Sequence, residues 1–314
     1  MPNPDPHTPP DAALAQARIQ VEATLPARRP EVTTFFDPAT ATASHVVRAP
    51  GKAACAIIDT VLDYDPAAGR TDTTSADRIA DFVEANALSV ILLLETHVHA
   101  DHLSAARYLR DRLGGRIAIG AQIRAVQDLF GPVFNAGPGF VHDGSQFDLL
   151  FEDGAPLAIG DLPGIALHTP GHTPACMTYV IGDAAFVGDT LFMPDYGTAR
   201  ADFPGGDAAS LYRSARRVLE LPPATRLFLC HDYLPPGRQD IRWETTVAAQ
   251  RKGNIHVRDG IAEADFVAMR MSRDATLGMP TLILPSVQVN MRAGDMPPAE
   301  DDGHRYLKIP LNRL

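Results

Sequence analysis

The residues most able to do chemistry lie in one short polar segment with the sequence Thr-His-Val-His-Ala-Asp-His. Three imidazoles and one carboxylate fall within six consecutive residues of this segment. Imidazole is the commonest protein ligand for divalent transition ions, and a carboxylate adds a hard oxygen donor. The residue types and their spacing therefore predict a metal site formed by His97, His99, Asp101 and His102.

Three further candidates follow short apolar segments elsewhere in the chain. His172 lies in a Pro-Gly-His-Thr stretch, Asp189 lies in a Gly-Asp-Thr stretch, and His231 follows an apolar run. One such residue after a strand is more often a turn or capping residue than a ligand. Four strand ends that each carry a histidine or an aspartate nevertheless predict one shared site, because sites in α/β folds assemble where strands end.

The elements around the first segment must place it at such an edge. Residues 89–94 form an unbroken apolar run, which is typical of a strand buried on both faces. A helix is predicted at 104–113, where a glycine pair ends it, and a strand is predicted at 116–119. The order strand, polar loop, helix, strand puts the chemistry in the loop. Further strands are predicted at 44–48, 54–59, 147–154, 155–159, 165–168, 178–181, 184–187 and 226–230, and further helices at 12–22, 75–86, 208–219 and 263–271.

Composition is that of an ordinary soluble globular protein. The chain has 314 residues, of which 45% are hydrophobic and 21% are charged. Its formal net charge of −10 argues against nucleic acid as a partner, because phosphate contacts need clustered basic residues. No apolar run approaches the roughly 18 residues of a membrane span, so no membrane partner is expected. Three widely spaced cysteines predict no disulfide framework, and no apolar leader is apparent, so we expect a cytoplasmic protein.

The chain is predicted to contain one domain preceded by an arm. Residues 1–30 are rich in proline and predict a poorly ordered N-terminal arm with one short helix. Residues 31–314 are predicted to form a single domain, because no linker divides them. The part after about residue 241 is interpreted as a C-terminal appendage of that domain.

The order of the motifs resembles that of the metallo-β-lactamase superfamily. The resemblance covers about residues 45–233 and includes THVHADH, then PGHTPA, then GDTLF, then the histidine at position 231. It implies an α/β fold of the α+β type, namely an αββα sandwich of two mixed β-sheets flanked by helices, with a metal site at one edge. The superfamily hosts many reactions, so the reaction has to be inferred from finer features.

Three finer segments resemble the glutathione-dependent persulfide dioxygenases of this superfamily. Residues 198–203 are similar to the GRTDF segment of those enzymes, His231-Asp232-Tyr233 to HDY, and residues 289–294 to ANMRCG. Glutathione has two carboxylates and one ammonium, which arginines and an aspartate respectively can bind. The resemblance implies a glutathione pocket lined by Arg200, Asp202, Tyr233, Met291 and Arg292.

The resemblance also implies a cofactor, one Fe(II) per chain, held by His97, His172 and Asp189. Two histidines and one carboxylate leave coordination positions open for O2 and substrate, as in non-haem Fe(II) oxygenases. The implied reaction converts glutathione persulfide, O2 and water to sulfite and glutathione. The small-molecule partners are then O2 and glutathione persulfide or a related small thiol. The remaining candidates would hydrogen-bond to the iron ligands and orient substrate or water. These candidates are His99, Asp101, His102 and His231.

A dinuclear zinc hydrolase of the glyoxalase II type is the alternative interpretation. All the ligands of a two-metal site are present, and in such a site Asp189 would bridge two Zn2+ ions while a bound hydroxide attacked a glutathione thioester. The segments at 198–203 and 289–294 favour the dioxygenase. Residues 122–147 and 193–199 are longer than the matching family segments and would alter the pocket. A non-catalytic metal-binding member of the same fold would be expected to lack one or more ligands, and none is missing here.

A homodimer is compatible with the sequence, because dimers are the commonest oligomers of soluble proteins.

Overall fold

Fifteen strands and eight α-helices form within residues 11–313, the part of the chain that the computed structural model describes. The strands are β1 (Glu31–Asp37), β2 (Thr42–Arg48), β3 (Ala54–Ile58), β4 (Val61–Asp65), β5 (Arg70–Asp72), β6 (Ser89–Leu94), β7 (Leu103–Ser104), β8 (Arg116–Gly120), β9 (Leu149–Phe151), β10 (Ala155–Ile159), β11 (Leu162–His168), β12 (Met177–Ile181), β13 (Ala184–Phe186), β14 (Arg226–Phe228) and β15 (Glu244–Thr246). The helices are α1 (Ala12–Ala23), α2 (Thr74–Ala85), α3 (Ala106–Leu113), α4 (Ile123–Val133), α5 (Ala208–Val218), α6 (Val247–Gly253), α7 (Glu263–Asp274) and α8 (Ile283–Asn290).

Two six-stranded sheets of mixed direction form the centre. The first has the order β1-β2-β3-β6-β8-β9 and changes from antiparallel to parallel at the β3–β6 pair. The second has the order β10-β11-β12-β13-β14-β15 and is antiparallel except for the β13–β14 pair. A small third sheet has the order β5-β4-β7. Parallel neighbours need a connection that crosses over, and in the first sheet α2, α3 and α4 lie in the connections of its three parallel pairs.

Successive side chains along a strand point to opposite faces of the sheet, so the buried apolar side chains form three core layers. In β3, Ala56 and Ile58 join the core between the two sheets, whereas Cys55 and Ile57 join the core under helices. Helices α2, α3, α4 and α8 cover the outer face of the first sheet, and α1, α5 and α7 cover that of the second. The protein is therefore an αββα sandwich, as the resemblance implied. No helix within residues 11–313 is long and apolar enough to cross a bilayer.

Both chain ends contribute to this sandwich. In α1, the Asp11 side chain caps the helix by accepting from Leu14 N–H at 2.9 Å, and Leu14, Ala17 and Val21 are buried against the second sheet. Residues 1–10 of the predicted arm lie outside the described residues. After residue 241, β15 extends the second sheet and α8 enters the core under the first. The division into arm, domain and appendage stays a prediction.

The segment that follows β6 differs from its prediction at one point. The helix predicted from residue 104 begins at Ala106, because Leu103 and Ser104 pair with β4 as the short strand β7. Gly114 ends the helix with a positive φ of 79°, which glycine adopts without strain. The predicted metal segment is therefore clamped between two strands and does not run directly into a helix.

Candidate metal centre

The predicted ligands lie where strands of the two central sheets end. The segment from His97 to His102 follows β6, and His97 and His99 are at most 1% exposed. His172 follows β11, Asp189 follows β13 and His231 follows β14. The structure brings these residues from both sheets into one buried cluster.

His97, His172 and Asp189 form the first group of the cluster. The Nε2 atoms of His97 and His172 lie 3.8 and 3.6 Å from Asp189 Oδ2, which is longer than a hydrogen bond. One ligand atom from each residue lies within 4.8 Å of the other two. Two imidazoles and one carboxylate at this separation can share one ion.

Hydrogen bonds on the far side of two rings determine which nitrogen faces the centre. His172 Nδ1 donates to the carbonyl of Arg200 at 2.8 Å. Thr96 Oγ1 donates to Asp59 at 2.9 Å and therefore accepts from His97 Nδ1 at 3.0 Å. Each ring thus carries its proton on Nδ1 and presents the lone pair of Nε2 to the centre.

His99, Asp101, His102 and His231 form the second group, directly beside the first. His231 Nε2 lies 3.1 Å from Asp101 Oδ2 and 3.5 Å from Asp189 Oδ1. His102 Nδ1 lies 3.2 Å from Asp101 Oδ1. Asp189 therefore lies between the two groups and offers one carboxylate oxygen to each.

Two buried carboxylates, Asp59 and Glu95, hold His99, and sequence analysis identified neither. His99 Nε2 lies 3.1 Å from Asp59 Oδ1 and 3.3 Å from Glu95 Oε2. Ser104 Oγ donates to the other Glu95 oxygen at 2.6 Å. These contacts leave His99 Nδ1 for the cluster. Each carboxylate directly follows an apolar strand, β3 or β6, and that position is the sequence signal that could have found them.

The unpaired atoms of the cluster show whether it fits a metal ion. Within residues 11–313, five of its nitrogen and oxygen atoms are buried without a hydrogen-bond partner, which is costly unless an ion binds them. Both iron and zinc accept imidazole nitrogen and carboxylate oxygen, so these residues fit a metal ion. The five atoms are His97 Nε2, His99 Nδ1, His102 Nε2, Asp189 Oδ1 and His231 Nε2.

Burial and neighbouring carboxylates together set the charge state of the cluster. Burial lowers the pKa of His97, His102 and His172, so their rings are neutral and able to act as ligands. Burial also raises the pKa of Asp189 to about 6. Burial alone would lower the pKa of His99, but its two neighbouring carboxylates outweigh that effect and hold this pKa well above its usual value.

A cavity of about 560 Å³ opens over the cluster. Asp101, His172 and Asp189 line it, together with Tyr233 and Arg200. The Tyr233 hydroxyl donates to Asp101 Oδ2 at 3.1 Å, so the predicted substrate residue and the second metal group are in direct contact. The rest of the wall includes the end of α7 and the segment that follows it, which the sequence analysis did not connect with the site.

Arg200 and Asp202 are paired with each other. Arg200 Nε and Nη2 donate to Asp202 Oδ1 and Oδ2 at 2.5 and 2.7 Å, and Arg200 Nη1 donates to the carbonyl of Gly278 at 2.7 Å. Arg200 lines the main cavity, whereas Asp202 lines a small neighbouring one. The two charges neutralise one another, so their predicted roles toward glutathione would require the pair to open.

Met291 and Arg292 do not line the main cavity, and their predicted role toward glutathione stays a prediction. Met291 is fully buried in the core under the first sheet. The Arg292 guanidinium lies 4.1 Å from the centroid of the Phe140 ring, and Arg292 lines a separate cavity of about 180 Å³. Both residues directly follow α8, whose packing turns them into the helical layer.

The same segment contacts the cluster through Asn290, which sequence analysis did not single out. Asn290 Nδ2 donates to the carbonyls of His99 and His102 at 2.9 and 2.8 Å. Asn290 Oδ1 accepts from the Ser104 N–H at 2.7 Å. One buried amide at the end of α8 thus holds three main-chain groups of the metal segment in place.

Comparison with known proteins identifies the family. A family model described as the metallo-beta-lactamase superfamily matches residues 37–231. The chain therefore belongs to the metallo-beta-lactamase superfamily. The match begins at the end of β1 and ends at His231, so it contains both groups of the cluster.

The chain is similar to relatives with different names. It is 62% identical over 293 residues to a probable metallo-hydrolase of Burkholderia pseudomallei, covering 90% of this chain and 99% of that protein. It is 49% identical to a Dictyostelium discoideum protein named glyoxylase B2, covering 83% and 89%. It is 26% identical to the human mitochondrial persulfide dioxygenase, covering 84% and 89%. The crystal structure of ETHE1 from Myxococcus xanthus matches with a TM-score of 0.67 and 27% identity, covering 84% of this chain and all of that one.

Proposed function

We propose that the protein is a non-haem Fe(II) persulfide dioxygenase that oxidises glutathione persulfide with O2 and water to sulfite and glutathione. The group formed by His97, His172 and Asp189 carries the proposal, because two imidazole nitrogens and one carboxylate converge there. Fe(II) held by these residues would supply activation of O2 for oxidation of the substrate sulfur. The similarity to the human persulfide dioxygenase, at 26% identity, supports this choice.

The surrounding residues would bind the substrate and manage its protons. The balanced reaction takes glutathione persulfide, O2 and water to glutathione, sulfite and two protons. Asp101 lines the cavity and lies 3.1 Å from His231 Nε2, so this pair is placed to take a proton from the substrate. Tyr233 orients Asp101 through its hydroxyl, and the aromatic rings of Phe192 and Tyr196 beside it shield the centre from water.

The proposal includes the setting of the enzyme. Glutathione persulfide and O2 are its small-molecule partners, in the cytoplasm. A net charge of −10 is in line with no nucleic-acid partner.

A dinuclear zinc hydrolase that cleaves a glutathione thioester is the second candidate. The unpaired atoms of His99, His102 and His231 favour it, because they form a second group that shares Asp189 with the first. The 49% identity to glyoxylase B2 of Dictyostelium discoideum supports this candidate too.

Parallel assays of iron-loaded and zinc-loaded protein separate the two candidates. The proposal expects O2 uptake and sulfite release from glutathione persulfide by the iron-loaded protein. It expects the Asp189→Ala variant to lose both iron and activity, whereas the exposed control Asp161→Ala keeps both. Hydrolysis of S-lactoylglutathione by the zinc-loaded protein, with no O2 uptake by either preparation, would overturn it.

A further inference from the structure

Three arginines line the main cavity, and only one of them lacks a carboxylate partner within residues 11–313. Arg200 is paired with Asp202, and Arg270 donates to Asp274 at 2.8 Å. No carboxylate oxygen of these described residues lies within 4.0 Å of the Arg273 guanidinium. The last turn of α7 therefore brings one uncompensated positive charge to the cavity wall.

The charge of Arg273 contrasts with its surroundings. The chain has a net charge of −10, and the cluster under the cavity contributes the carboxylates of Asp101 and Asp189. These negative charges would repel an anionic ligand, so an unpaired guanidinium on the wall is the local group that can attract one. Leu277 and Pro280 line the same wall and can contact the methylene groups of a ligand whose carboxylate Arg273 binds.

We propose that Arg273 binds a carboxylate of the substrate and makes the cavity selective for small thiol derivatives that carry a free carboxylate. A guanidinium presents paired N–H donors that match the two oxygens of a carboxylate. The sulfur end of the ligand would then lie toward the cluster. This inference rests on the proposed function for the sulfur chemistry alone, since carboxylate binding does not depend on which reaction follows.

Arg273 also lies in the last turn of a helix, where a positive charge stabilises the helix dipole. That role would leave ligand affinity unchanged, so binding measurements separate the two roles. The probes are S-methylglutathione, which does not react, and its diethyl ester, in which both carboxylates are converted to neutral esters. Both are titrated calorimetrically into anaerobic, iron-loaded full-length protein.

The wild-type protein is expected to bind the free acid more tightly than the ester. Arg273→Gln should weaken binding of the free acid by about 5- to 20-fold and leave ester binding unchanged, because a charged hydrogen bond at a partly exposed site is worth that much. The affinity of Arg273→Lys for the free acid should fall between those of the wild type and Arg273→Gln, because lysine keeps the charge but not the paired donors. Arg18→Gln is the matched control, because Arg18 is an exposed helical arginine on α1, away from the cavity.

Three results would overturn the inference. The first is that Arg273→Gln binds the free acid as tightly as the wild type does. The second is that Arg273→Gln loses the same affinity for the acid and for the ester. The third is that the wild-type protein binds neither probe. Sulfite release by the same preparations tests the proposed function separately. Sulfite release without acid–ester discrimination would overturn only the role of Arg273, and discrimination without sulfite release would overturn only the dioxygenase.

Discussion

Replacing Asn290 with alanine tests how the metal segment is held. The substitution removes three buried hydrogen bonds and leaves the His99 and His102 carbonyls and the Ser104 N–H without their partner. Each such bond contributes about 1 kcal/mol, and each buried group left unpaired costs about 1–3 kcal/mol. Three groups lose their partner, so the free energy of unfolding should fall by at least about 3 kcal/mol, a large share of the stability of a typical domain.

The assay is urea unfolding of the variant, of the wild type and of a matched control. Asn86→Ala is that control, because its side-chain amide makes one exposed hydrogen bond, to the Phe82 carbonyl at 2.8 Å. The control should lose less than about 1 kcal/mol. Loss of less than about 1 kcal/mol in Asn290→Ala would refute the reasoning.

Three other substitutions test further contacts of the structure. Glu95→Gln removes a buried carboxylate that lies 3.3 Å from His99 Nε2 and accepts from Ser104 Oγ, so urea unfolding should show a loss of about 1–3 kcal/mol, and a neutral variant would contradict this role. Gly188→Ala would put a Cβ 2.6 Å from Thr96 Oγ1 at a φ of +52°, so urea unfolding should show a loss of about 1–3 kcal/mol, and a neutral variant would be unexpected. Burial lowers the pKa of His45 to about 4, so as pH falls below about 6.5 the unfolded chain takes up a proton first and stability is lost down to about pH 4. The free energy of unfolding in urea should depend less on pH across that range in His45→Gln than in the wild type. An equal pH dependence in both proteins would contradict the role of His45 in this loss of stability.

Local sequence features predicted ten of the fifteen strands, all but β1, β4, β5, β7 and β15, and the metal-binding residue types. The strand β6 has the bounds that the apolar run at 89–94 predicted, and the histidine-rich segment follows it directly. These features are local, because a strand with both faces buried needs an unbroken apolar run. Residue type and position after a strand were enough to suggest His172, Asp189 and His231.

The residues that hold the ligands were not predictable in the same way. Asp59 and Asn290 act through contacts between segments far apart in the chain, whereas Glu95 lies four residues before His99. Asp59 and Glu95 directly follow apolar strands, but that position is shared with many turn residues, and the buried amide of Asn290 has no such signal. The position of Met291 and Arg292 outside the wall of the main cavity was not predictable either, since a short motif does not specify which face of α8 meets the cavity.

Metal content per chain tests the central claim most directly. The account places one ion on His97, His172 and Asp189, so anaerobically iron-loaded protein should hold about one iron per chain by mass spectrometry. His172→Ala should lose that iron, whereas His102→Ala, a histidine of the second group, should keep it. About two ions per chain in the wild type, with about one lost in each variant, would contradict the account and establish a dinuclear centre.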